Sequence, residues 1–244
     1  MRILIANDDG IYSPGILALA EVAASFGDVR IVAPDMEQSS MGHAVTHSRP
    51  LSYRRTIIAG FEAFRVNGTP ADCVALGLST WEGADIVLAG INLGTNLGNS
   101  MWHSGTRAAA KQAALLRKRG IAFSVPVDEH GEPNLERAKP FVARILEQLL
   151  PDRTLNLINV NIPDEPRGVA WTRQSVRHYA GRIVPGQDPM GRQHYWFTVV
   201  PVEEAEEGTD RWAFEHDLVS VTPLRLDLTD TGALAASRIA HPFG

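Results

Sequence analysis

The chain contains a single cysteine, Cys73, among its 244 residues. One cysteine makes no internal disulfide, and no Cys/His cluster at zinc spacing accompanies it. Cys73 therefore reads as a small buried residue in a reducing compartment. Excess positive charge is also lacking. The formal net charge is −5 and the pI about 5.9. Nothing here attracts a nucleic-acid polymer or an anionic membrane globally, so neither is expected as a partner. An anionic substrate has to be drawn in locally, by a metal or a helix N-terminus. No run reaches the ~20 apolar residues of a membrane span. Only Ile3-Leu4-Ile5-Ala6 separates Met1-Arg2 from Asn7-Asp8-Asp9, too little for the apolar segment of a signal peptide. A cytoplasmic location is the expectation. Neither the phosphate loop G-x-x-x-x-G-K-[ST] nor an opening GxGxxG fingerprint is present.

What is present is a chain with 44% hydrophobic residues, enough for one sizeable core. Arg2 to Ala6 is a short apolar run, as in a strand covered on both faces. A helix follows, with Ser13 as N-cap and Pro14 at its first position. Its apolar face is Ile16, Leu19, Ala20, Ala23 and Phe26, and Gly27 is placed to end it. Val29 to Ala33 is a second buried strand, giving a right-handed β-α-β opening. After a loop at 34–50, Leu51 to Val66 reads as a hairpin or excursion, and Thr69 caps a helix over 70–80. Asp85 to Ala89 is a buried strand, and 90–103 a Gly/Asn-rich loop. Ser104 caps a helix to Arg119, with Lys118 and Arg119 complementing its C-terminal dipole. A strand at 121–125, a helix at 135–149 and a strand at 155–162 complete a doubly wound α/β core over residues 1–163. Beyond Pro163 helical periodicity fades. Strands are expected near 169–173, 194–202 and 218–222, with exposed loops at 185–193 and 203–210, as an elaboration of the same single domain.

In open α/β sheets, ligands bind beyond the carboxyl ends of the strands. Three polar segments lie at such ends: Asn7-Asp8-Asp9-Gly10, the 34–47 loop, and Gly90-Ile91-Asn92. Adjacent aspartates repel unless a cation lies between them, which makes Asp8 and Asp9 a candidate metal pair. Asn92 and either Ser39 or Ser40 are the neutral oxygen donors on the same rim. Such donors suit Mg²⁺ or Mn²⁺ rather than a thiolate-type zinc site. The loop at 90–103 runs into Ser104-Gly105-Thr106 at a helix N-terminus, a ready anion site, with Asn96 as a further donor. His43 and His103 are the histidines nearest these loops, and imidazole titrates near neutrality. His43 is taken as the candidate for proton transfer, and Asp8 or Asp9 for orienting water. The acidic run 203–207 reads as a solvated loop.

Several motifs, in order and in register, resemble the SurE (survival protein E) family. They are MRILIANDDGIYSPGI at the start, SSMGHAVT at 39–46, GTPADCV at 68–74, GINLGTN at 90–96, HSGT at 103–106, NVNIP at 159–163 and VTPL at 221–224. The resemblance implies a metal-dependent phosphohydrolase of nucleoside 5′- and 3′-monophosphates, with short polyphosphate as a further substrate of some members. It implies one divalent ion per subunit on Asp8, Asp9, Ser39 and Asn92, which chooses Ser39 over Ser40. It also implies a Rossmann-like core and a homodimer that exchanges C-terminal segments, with pairing into tetramers left open. One residue departs from the pattern. Arg107 follows the SGT where the family carries an apolar side chain, and a cation in a first helical turn opposes the dipole. Either it points to solvent or it reaches the bound phosphate.

Two other readings compete. A haloacid-dehalogenase-type phosphatase needs a second Asp two residues after its nucleophile, and Gly10 stands there. A nucleotide-binding regulatory protein without turnover would bind nucleotide and release no phosphate.

Overall fold

The computed structural model describes residues 1–176, 179–201 and 204–241. Strand β1 (Arg2–Ala6) forms because its last four side chains are apolar and wholly buried between helices on both faces. Helix α1 (Pro14–Ala23) follows, with the Ser13 hydroxyl accepting the Gly15 N–H. β2 (Asp28–Pro34) lies parallel to β1. The segment at 51–66 is an antiparallel hairpin, β3 (Tyr53–Ile58) and β4 (Phe61–Val66), turning at Ala59-Gly60. Helix α2 (Pro70–Thr80) starts in a reciprocal capping box between Thr69 and Asp72. Then come β5 (Ile86–Leu93), α3 (Gly105–Leu115), β6 (Arg119–Val125), α4 (Leu135–Leu149) and β7 (Leu157–Asn161).

The parallel strands stand in the order β4-β2-β1-β5-β6-β7. Counted along the chain this is third, second, first, fourth, fifth, sixth, the dinucleotide-fold order, whose direction reverses between β1 and β5. Side chains alternate between two cores. Ile3, Ile5, Leu88 and Val160 pack with α1 and α4. Leu4, Val87, Ala122 and Leu157 pack with α2 and α3. Cys73 is buried in the second of these.

The structure corrects several boundaries. β5 does not stop at Ala89. It runs to Leu93 across an irregularity between Ala89 and Asn92, with a cis Gly90-Ile91 peptide. Gly90 has φ +122°, and a Cβ there would stand 2.4 Å from the Phe123 carbonyl oxygen. Part of the expected loop is a 3₁₀ turn, Gly98–Trp102. Helix α3 ends at Leu115, not Arg119, because Arg117 enters the left-handed region at φ +60°. Arg119 is therefore in β6 and serves another helix. Its guanidinium donates to the carbonyls of Leu149, at 2.7 Å, and Leu150, at 3.1 Å, closing the C-terminus of α4. Helix α1 likewise ends before Gly27.

Beyond Pro163 the chain adds β8 (Gly168–Trp171), β9 (Tyr179–Gln187), β10 (Gln193–Pro201), α5 (Asp210–Glu215), β11 (Leu218–Pro223) and α6 (Thr231–Ala240). The loop expected over 185–193 shrinks, since β9 and β10 pair from Tyr179–Pro201 to Gln187–Gln193. Two helices appear where none was read. β11 joins the main sheet antiparallel to β7 and parallel to β8, while β9 and β10 form a separate two-stranded sheet. Val202 and Glu203, which fall in the strand and loop expected at 194–202 and 203–210, lie outside the described residues. Among the described residues no helix is long and apolar enough to cross a membrane.

Candidate active site

The rim segments converge where the strand order reverses. Asp8 and Asp9 leave β1 on one side of that point, and Asn92 leaves β5 on the other. Backbone hydrogen bonds join the third segment to them: Gln38 N–H donates to Asp8 C=O at 2.7 Å, and Gly42 N–H to His103 C=O at 2.9 Å. Around this point lies a cavity of about 540 Å³ whose walls include Asp8, Ser39, Ser40, Asn92, Asn96 and His103. Asp9 and Ser39 line a neighbouring cavity with Asp35 and Glu37. Ser39 borders both cavities and so both aspartates, whereas Ser40 borders only the first.

Thr106 organises the carboxylate. Its hydroxyl, fully buried, is hydrogen-bonded to Asp8 Oδ1 and lies 3.0 Å from Asn92 Oδ1. The Asn92 amide is oriented by its own Nδ2, which donates to Gly94 C=O at 2.6 Å. Its carbonyl oxygen thereby faces the Thr106 hydroxyl that also bonds Asp8. Gly105 sits against the same carboxyl group: a Cβ there would lie 2.7 Å from Asp8 Cβ and 2.8 Å from Oδ2. Against the burial that raises it, the Thr106 and Gly105 backbone also pulls the Asp8 carboxyl down. The helix N-terminus expected to meet a phosphate therefore meets Asp8 first. Ser104, whose hydroxyl accepts the Arg107 N–H at 3.0 Å, is the member of Ser104-Gly105-Thr106 that lines the cavity.

Asp9 Oδ2 accepts the Leu93 N–H at 3.3 Å. Burial, and then the Asp8 charge beside it, push the Asp9 carboxyl up to about 7. Asp8 is also raised, by burial, against the opposing pull of Thr106. No lysine or arginine lines either cavity among the described residues. Two carboxylates this close, with no cationic side chain in either lining, are of the kind that an external cation would offset. Among the described residues no group of three or more His, Cys, Asp and Glu could hold a metal. The oxygens gathered at this rim are instead those of two carboxylates, the Asn92 amide and a serine hydroxyl, a set of the kind that suits a hard divalent ion.

Asn96 borders the cavity but is heavily engaged. Its N–H donates to Asn161 Oδ1 at 2.8 Å and its Nδ2 to Ser124 Oγ at 2.9 Å. Its C=O accepts from Asn159 Nδ2 and Asn161 Nδ2. This network, which the sequence reading missed, pins the loop after β5 to the ends of β6 and β7. A signal did exist: Asn159 and Asn161 share one face of a buried strand, where amides need partners. Asp210, also missed, lies wholly buried and accepts N–H bonds from Gly98 at 2.8 Å and Ser175 at 2.9 Å. Nothing local in the sequence marks it. Of the two histidines, His103 lines the cavity. His43 does not: its Nε2 lies 2.7 Å from Gln112 Oε1 on α3. Arg107 neither points free into solvent nor lines the cavity around Asp8. Its guanidinium lies over the Trp102 ring, 5.3 Å from the centroid.

A family model described as Survival protein SurE matches residues 3–181. The chain is 47% identical to 5′-nucleotidase SurE 1 of Thermus thermophilus, over 97% of this chain and 96% of that one. It is 43% identical to 5′-nucleotidase SurE of Deinococcus radiodurans, over 93% and 88% respectively. Among solved structures, the SurE protein from Aquifex aeolicus superimposes with a TM-score of 0.84 at 38% identity, covering 98% of this chain and 99% of that one. With the motifs, the strand order and the rim cluster all in register, this chain belongs to the SurE family.

Proposed function

We propose that this protein is a 5′-nucleotidase that hydrolyses nucleoside monophosphates with one divalent ion, Mg²⁺ or Mn²⁺, held by Asp8, Asp9, Ser39 and Asn92. The observation that carries the reading is the convergence of Asp8, Asn92 and Thr106 at the strand-order reversal, beside a second buried carboxylate. The relatives named 5′-nucleotidase SurE supply the substrate class. When bound, such an ion neutralises phosphoryl charge and makes water more acidic. The chain's own groups do the rest. Thr106 and Gly105 fix the Asp8 carboxylate, and Ser104 at the start of α3 presents a hydroxyl to an equatorial phosphoryl oxygen. In this reading His103, which lines the cavity, supplies the proton for the leaving nucleoside oxygen. The tie to Gln112 makes His43 a support for α3. Nucleoside 3′-monophosphates and short polyphosphate belong to the same reading, as further esters and anhydrides of the same group.

The reading includes a homodimer with exchanged C-terminal segments. Its support is α6, none of whose residues is buried within the chain. The test is phosphate release from AMP with Mn²⁺, Mg²⁺ or chelator. Wild type turns over only with metal, and Asp8→Asn abolishes turnover. Wild-type rates in Asp8→Asn, or in chelator, would sink the metal assignment. Tight AMP binding without release would make the protein a binder.

A further inference from the structure

Trp102 and Arg107 flank His103-Ser104 in sequence, yet they line a different cavity. It encloses about 360 Å³, and its charged lining is Arg107, Lys111, Arg173, Arg225 and Asp227. Arg173 is neutralised by Glu206 at 2.6 Å. Arg107, Lys111 and Arg225 form no ion pair among the described residues. Asp227 is the one carboxylate in the lining and interacts electrostatically with Arg225, so Arg107 and Lys111 are the two cations left without a carboxylate partner among the described residues, in a chain of net charge −5. Burial lowers Arg107, and burial with the Arg107 charge lowers Lys111. These are cations held close together and half out of water, where a counter-charge is most favourable. The uncharged lining is mixed: Leu157, Leu224, Leu228 and Trp102 supply an apolar wall, and Thr172 and Gln174 add polar groups. Arg107 is also the residue at which this chain departs from the family pattern.

We propose that this cavity is a second anion site, separate from the metal cluster, that takes a dianionic phosphate group. Two sources share that chemistry: inorganic phosphate, and the phosphate of a small phosphorylated metabolite whose organic part lies on the apolar wall. Arg107 and Lys111 lie one helical turn apart on α3 and present their cations together. Arg225 reaches in from the end of β11. The site stands independently of the nucleotidase reading.

The experiment uses full-length protein with metal chelated, so that the aspartate cluster repels anions. Inorganic phosphate, AMP and adenosine are titrated by calorimetry, and phosphate is followed by ³¹P line width. Phosphate binds the wild type and Asp8→Asn alike. Binding weakens about ten-fold or more in Arg107→Gln/Lys111→Gln, since two charge-assisted contacts are lost. It also falls as salt rises from about 0.05 to about 0.5 M. Arg225→Gln, an exposed position, gives the same direction if the double variant fails to fold. AMP binding more tightly than phosphate assigns a phosphorylated metabolite, and equal or weaker binding assigns inorganic phosphate. No binding up to about 10 mM phosphate overturns the proposal. So does binding lost in Asp8→Asn but intact in the arginine and lysine variants, or adenosine binding as tightly as AMP.

Discussion

One hydroxyl proton on Thr106 serves two acceptors, Asp8 Oδ1 and Asn92 Oδ1. That proton is shared between them, so Thr106 draws both oxygens to one point without neutralising either. That makes it an orienting group behind candidate metal ligands, a kind of contact whose loss commonly costs about 10–100-fold in metal affinity or activity. Thr106→Val keeps the shape and removes the proton. Its Mn²⁺ affinity and AMP turnover should fall within that range, and Thr106→Ser should recover most of both. Equal loss in Val and Ser variants would assign the effect to packing. Asp9 carries the opposite lesson. Its carboxyl ionises near 3.8 in the unfolded chain and is raised to about 7 in the fold. A raised pKa contributes stability that is fully present below the unfolded value and lost as pH climbs through about 7. Metal-free Asp9→Asn should therefore exceed wild type in stability near pH 8, by about 1–3 kcal/mol after allowing for water at a partly open site. The gap should narrow as pH falls toward about 5. Urea melts in chelator at both pH values measure it, and a pH-independent gap contradicts the assignment.

Elements were legible wherever a cap and a buried face coincide. Ser13-Pro14, Thr69-Pro70 and Ser104 each mark a helix start that the structure keeps. The end of α3 was not legible, because Lys118-Arg119 looks like a basic last turn while Arg119 caps α4 instead. Helix α5 has six residues, too few to establish a period, and α6 buries no residue, so no apolar stripe is imposed on it. At the site, strand-end chemistry pointed to Asp8, Asp9 and Asn92. The inward turn of Thr106 was hidden, since a hydroxyl in a first helical turn looks the same whether it meets an anion or a carboxylate. Asp210 was illegible because its partners Gly98 and Ser175 are distant in sequence. It ties the 3₁₀ turn of the active-site loop to the segment before β9 and to α5. Asp210→Asn turns an amide toward N–H donors and forfeits charge-assisted bonds, for about 1.5–3 kcal/mol. Thermal melting should show that loss, and KM for AMP should rise as the loop at 97–102 loosens. A destabilised variant with unchanged KM would confine Asp210 to α5.

At the scale of the whole molecule, the C-terminal region divides into a part the core uses and a part it leaves over. β11 lies between β7 and β8 and extends the main sheet. Among the described residues, none of the β9–β10 hairpin or α6 belongs to either core. The hairpin exposes Trp196 to 65% and Phe197 to 67%, and α6 exposes Ile239 to 85%. Phe197 also lines the cavity that holds Asp8 and Asn92, so a partner seated on the hairpin would stand beside the candidate site. Elements that expose several large apolar side chains offer interaction surfaces, and a second copy can cover both elements by symmetry. Light scattering after size exclusion should give a mass of at least twice 26.6 kDa. Trp196→Glu with Ile239→Glu, neither a metal-site residue, should shift the mass toward that of one chain. If Phe197 is held at the cavity by the partner, the same variant should raise KM for AMP as it dissociates. A monomeric wild type refutes the dimer, and a monomeric variant with unaltered KM separates assembly from the shape of the catalytic cavity.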